Sequence, residues 1–159
     1  CIHNCYGCHN PQTHSLNDGF IVDTEQIKQE LETLSAEEGI TFSGGDPMLQ
    51  VDACLDIARR AKELNLNIWC YTGYTFEQLK KMSKFKPSLI EFLNLIDVLI
   101  DGKFVLEEKS LNLKFRGSRN QRAIDPKKSL IEGKPIIIER LMVEDDNQVI
   151  KKIEEELFI

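Results

Sequence analysis

An α/β fold built on a parallel sheet is what the sequence predicts, and three observations predict it. Short β-prone stretches at residues 40–43, 66–71 and 97–100 alternate with segments whose apolar residues recur at helical spacing. Each such stretch runs into a polar, glycine-bearing turn: Gly44-Gly45-Asp46, Tyr71-Thr72-Gly73 and Asp101-Gly102-Lys103. A parallel α/β architecture gathers its functional groups at those strand ends. The third stretch, Asp97-Val98-Leu99-Ile100, is almost wholly apolar, as expected of a strand covered on both faces.

The elements follow in order. Residues 13–19 are polar and read as a connection. Asp23-Thr24-Glu25-Gln26 has the form of a capped helix start, and Ile27, Leu31 and Leu34 then fall on one helical face, with Gly39 as its stop. The strand at 40–43 leads into Gly44-Gly45-Asp46-Pro47, where Asp46 suits an N-cap and Pro47 a first helical position. Val51, Leu55 and Ala58 form the apolar face of the next helix, and Cys54 lies on the same side as a buried thiol. In the strand at 66–71, Leu66, Ile68 and Cys70 share one face and Trp69 and Tyr71 the other, so Cys70 reads as a core side chain. Thr75-Phe76-Glu77-Gln78 is a second capping pattern, and an apolar helical piece follows Pro87 over residues 90–95. Residues 114–122 form a donor-rich loop with three arginines. It reads either as a solvated basic turn or as a contact for carboxylates and carbonyls. Residues 135–139 read as a further strand and 147–157 as a charged terminal helix.

Composition narrows the function classes. A chain of 159 residues with 42% hydrophobic and 29% charged residues is expected to form one domain with a real core. The net charge of −6 argues against general binding to a phosphate backbone. No apolar run is long enough to span a membrane, and no secretion signal is visible, so five cysteines point to a reducing cytoplasm.

The chemistry concentrates in Cys1-Ile2-His3-Asn4-Cys5-Tyr6-Gly7-Cys8, a C-x3-C-x2-C loop. Thiolates are the usual ligands of iron–sulfur clusters, and a 4Fe–4S cube normally takes four, so three local thiols leave one iron open. Zinc held by Cys1, Cys5 and Cys8 with His9 or His3 is the competing reading of the same residues. His9 and His14 otherwise read as polar loop residues, and His3 as a neighbour of the ligands.

The cysteine loop and the Gly44-Gly45-Asp46-Pro47 turn together resemble the radical S-adenosylmethionine (SAM) superfamily. With Tyr71-Thr72-Gly73-Tyr74, Asp101-Gly102-Lys103-Phe104 and Phe115-Arg116-Gly117-Ser118-Arg119-Asn120-Gln121-Arg122, the chain is similar to its glycyl-radical-enzyme activases. Within these it resembles the branch serving the anaerobic (class III) ribonucleoside-triphosphate reductase. The resemblance implies a partial (β/α) barrel lacking its first strand through N-terminal truncation. Residues 1–125 would be the radical SAM domain, and 126–159 a strand-plus-helix extension packed on it. It implies a 4Fe–4S cluster on Cys1, Cys5 and Cys8, and SAM contacted by Tyr6, Gly7, Gly44, Gly45, Asp46, Thr72, Asp101 and Lys103. SAM would be cleaved reductively to a 5′-deoxyadenosyl radical, which takes a hydrogen from a glycine Cα of the reductase. The electron would come from a low-potential donor such as flavodoxin. Another glycyl-radical enzyme or a small molecule as substrate, and a non-catalytic zinc module, stay open.

Overall fold

The computed structural model describes residues 1–34 and 38–144. Its centre is a sheet in the order β1 (Gly39–Phe42), β2 (Asn67–Tyr71), β3 (Val98–Asp101) and β4 (Arg122–Ile124). The first three are parallel, with Ile40 opposite Ile68 and Cys70 opposite Leu99. Helices α1 (Thr24–Thr33), α2 (Val51–Glu63), α3 (Phe76–Met82), α4 (Ser88–Leu95) and α5 (Pro126–Glu132) complete an α/β domain with an open, mostly parallel sheet.

Alternation along the strands sorts the two faces. Ile68, Cys70, Leu99 and Ile124 point to the helical side, against Val51, Leu55 and Ala58 of α2 and Leu89, Phe92 and Leu93 of α4. Burying a side chain such as Phe92, fully removed from solvent, contributes about 1.5–3 kcal/mol. On the other face, Val98, Ile100 and Ala123 pack with Leu141, and Trp69 and Tyr71 lie against them. Every residue of β3 is therefore buried. No helix among the described residues is long and apolar enough to cross a membrane.

Local signals set the element ends. Asp23 caps α1 by accepting from the Glu25 N–H, and Thr75 and Gln78 close a reciprocal capping box on α3. Asp46 caps a 3-10 turn, Pro47–Gln50, that leads into α2, so the helix expected at Pro47 begins instead at Val51.

Three expectations are corrected. Gly39 does not stop α1, which ends at Thr33; it opens β1, where it lies so close to Asn67 that a Cβ would overlap that residue's carbonyl. The sheet is not wholly parallel, because β4 runs antiparallel to β3, with Asp101 opposite Arg122. Residues 135–139 form no strand of their own. Ile137 makes a single antiparallel bridge to Ile124, and the chain then turns into a 3-10 helix at Glu139–Leu141. Pro135 has no N–H to give a ladder, and the contact is carried by Asp125 N–H to Ile136 and Ile138 N–H to Ala123. The helix expected at 147–157 lies outside the described residues.

Candidate functional site

The strand ends and the cysteine loop enclose a cavity of about 510 Å³. The loop coils tightly because Asn4 and Gly7 adopt positive φ, at 47° and 73°, and Cys8 N–H donates to the Cys5 carbonyl at 3.2 Å. Cys1, Cys5 and Cys8 all line the cavity and all keep partial solvent access. The other two thiols do not line it. Cys70 is fully buried, and burial raises its pKa; Cys54 is partly buried on α2, where burial, with the Asp46 charge adding to it, pushes its thiol up to about 11. Both belong to the hydrophobic core and are poor thiolate donors.

The Gly44–Gly45 turn forms the facing wall. Gly44 has a φ of 103° and nothing within 4 Å of where a Cβ would stand, and the Cβ position of Gly45 lies 3.8 Å from Cys1 Cβ. Cys1 and this turn, far apart in sequence, thus meet in space. Thr72 and Gly73 at the end of β2, and Gly102 and Phe104 after β3, continue the wall. The 109–121 segment adds Lys109, Leu111, Leu113 and Gln121 to the lining, tied down by amides that the sequence offered as ligand contacts. Gln121 accepts from Gly117 N–H at 2.8 Å and donates to the Gly102 carbonyl, and Asn120 donates to the Lys103 carbonyl at 2.8 Å. Arg116, 8% exposed, lines the cavity but spends its Nη atoms on the carbonyls of Arg119, Gln121 and Met142. Burial lowers its pKa against the opposing pull of Glu144.

The remaining candidates fall elsewhere. Tyr6 is 82% exposed and is not part of the cavity lining, whereas Gly7 is. Asp46 sits behind the wall, buried, holding His3, Thr72, Met48 and Gly73. Asp101 and Lys103 line a second cleft of about 390 Å³, which shares Gly73 and Gly102 with the first. Asp101 is fully buried. It accepts from the Phe76 N–H at the start of α3 and from the Arg122 guanidinium, which also grips Glu77. Those bonds raise the Arg122 pKa, and the same guanidinium pulls the Glu77 carboxyl down to about 2.

His9 and His14 also line the cavity. Among the described residues, no three His, Cys, Asp or Glu side chains are gathered where a single metal ion could be held, and His3 is bonded to Asp46. A cube differs from one ion in that each iron takes its own thiol, so its three ligands need not converge on one point. Three cavity-facing thiols with the other two in the core match that donor set. The link His3 makes was not visible in sequence, because its partner is 43 residues away.

Comparison with known proteins bears on this site. Residues 1–124 match the family described as a 4Fe-4S single cluster domain. A Haemophilus influenzae protein named anaerobic ribonucleoside-triphosphate reductase-activating protein is 38% identical over 129 residues, covering 76% of this chain and 79% of its own. Proteins of the same name are 37% identical over 129 residues in Escherichia coli K12, covering 76% and 80%, and 35% identical over 130 residues in Enterobacteria phage T4, covering 77% and 76%. No solved structure matches the chain.

Proposed function

Because the chain belongs to the 4Fe-4S single cluster domain family and to the family of anaerobic ribonucleoside-triphosphate reductase-activating proteins, we propose that it is the radical SAM activase that installs the glycyl radical on that reductase. The observation that carries the reading is the shared cavity: three thiols on one wall, a Gly-Gly turn on the other, and the remaining two thiols in the core.

In this reading Cys1, Cys5 and Cys8 hold a 4Fe–4S cluster with one iron left for SAM. When bound, the pair supplies a one-electron cleavage of the sulfonium, whose product removes a hydrogen from a glycine Cα of the reductase. The chain's own residues bind and orient. Backbone groups of Gly44 and Gly45 meet the ligand at close range, since neither carries a side chain. Thr72 and Gly102 shape the adjoining wall, and the 109–121 segment limits water. Lys103 offers a cation at the neighbouring cleft, and Asp101 fixes the strand end beside it. A low-potential donor such as flavodoxin delivers the electron.

We read residues 1–125 as the radical SAM domain, a partial barrel, and 126–159 as its extension. The described part of that extension supports this by packing Leu141 and Ile138 against Val98, Ile100 and Ala123 on the sheet. The test is anaerobic reconstitution with iron and sulfide, reduction, and addition of SAM and the reductase. Formation of 5′-deoxyadenosine and a glycyl-radical EPR doublet on the reductase is expected. A chain that loads its cluster and yields neither would overturn the proposal.

A further inference from the structure

The carboxylate of Asp46, at 6% exposure, has no room for another donor. Its Oδ1 accepts from the Met48 N–H at 2.9 Å, and the Thr72 hydroxyl lies 3.1 Å from Oδ1 and 2.9 Å from Oδ2. Oδ2 also accepts from the Gly73 N–H at 2.9 Å and from His3 Nε2. A carboxylate offers about four lone-pair sites, and four donors occupy them. An ammonium group entering the cavity would have to displace one of these partners to reach it.

The His3 ring is held from its other sides as well. It meets the Tyr74 ring edge-on with centroids 4.6 Å apart, and it closes over Gly73 so tightly that a Cβ there would run into the imidazole. Among the described residues, 2–10 form hydrogen bonds beyond the first fourteen residues only through this side chain. The cysteine loop otherwise bonds to itself, through Cys8 to Cys5 and Thr13 to Asn10.

Resting on the proposed function, we infer that His3 is a positioning residue that fastens the three-thiol loop over the Gly44–Gly45 turn. Asp46 is the anchor for that ring and not the acceptor of the sulfonium compound's amine. One carboxylate thereby sets the loop, the end of β1 and the end of β2 in a single arrangement.

Two variants of the full chain separate donor from shape. His3→Gln keeps an N–H donor near the same place, and His3→Phe keeps the ring but removes the donor. Iron and sulfide per chain should match wild type in both, because all three thiols remain. The SAM concentration giving half of the EPR change of the reduced cluster should stay within about threefold of wild type for His3→Gln. For His3→Phe it should rise by about tenfold or more, the scale of one lost hydrogen bond to a charged group. The double variant His3→Phe/Asp46→Asn should be no weaker than the weaker single, since the two residues act through one bond. An unchanged His3→Phe, a His3→Gln as weak as His3→Phe, or additive losses in the double variant would overturn the inference. If His3→Phe takes up no iron, His3→Gln decides: wild-type loading and SAM response uphold the role, and their loss refutes it. Thermal unfolding of the cluster-free protein reads the same link without cofactors, with His3→Phe lower than wild type and His3→Gln equal to it. A wild-type cluster indifferent to SAM would therefore sink the proposed function while that unfolding comparison still judged His3.

Discussion

Asp46 after β1 and Asp101 at the end of β3 are two buried carboxylates at corresponding ends of parallel strands, and they are satisfied in opposite ways. Asp46 is held by two backbone N–H groups, a hydroxyl and an imidazole. Asp101 is held by one backbone N–H and a guanidinium. The first arrangement spreads the carboxylate over four separate donors and reaches across to the cysteine loop. The second pairs it with a full positive charge and reaches across to β4. The difference separates tasks: the Asp46 cluster assembles the site, and the Asp101 cluster closes the sheet behind it.

Breaking the charge pair should produce the largest change in stability. Arg122→Met leaves the fully buried Asp101 carboxyl with one remaining donor, and breaking a buried pair in this way costs about 3–5 kcal/mol. Chemical denaturation of the cluster-free protein checks this, and a loss below about 1 kcal/mol would show the pair to be dispensable. His3→Phe removes one donor of four from Asp46, so its loss by the same measurement should be smaller, about 1.5–3 kcal/mol.

Acid separates the two clusters next. Glu77, held at about 2 by Arg122 against a reference value of 4.5, contributes stability that is fully present above 4.5 and is lost as pH falls towards 2. Glu77→Gln should therefore flatten the stability–pH curve between those limits and leave its neutral region nearly unchanged. A wild-type slope retained in this variant would assign that acid sensitivity elsewhere. The smallest effect is expected from Arg119→Ala, which removes an exposed pair with Glu144 worth about 0–1 kcal/mol.

The contrast also marks what the chain's own text reveals. Strands β1 to β3 were legible because β-prone residues ended in glycine turns, and the site's outline was legible because three cysteines sit within eight residues. β4 was not. Arg122-Ala123-Ile124 has no period to read, and its pairing depends on Asp101, 21 residues earlier. The 114–122 loop read either as a solvated turn or as a ligand contact, and sequence could not show that Asn120, Gln121 and Arg116 donate to the backbone carbonyls of Lys103, Gly102 and Met142, 17 to 26 residues away. Asp46 was legible as a cap and as part of a motif, but its saturation by His3 and Thr72 arises only when the cysteine loop meets the ends of β1 and β2.

In the proposed function the loop thiols, and not the core thiols, carry the cofactor. That assignment is tested most directly by measuring iron content and 5′-deoxyadenosine yield in anaerobically reconstituted Cys5→Ala and Cys54→Ala side by side. Cys5→Ala should lose a stable cluster and its product, and Cys54→Ala should keep both near wild type. Full iron and product in Cys5→Ala, or their loss in a folded Cys54→Ala, would contradict it.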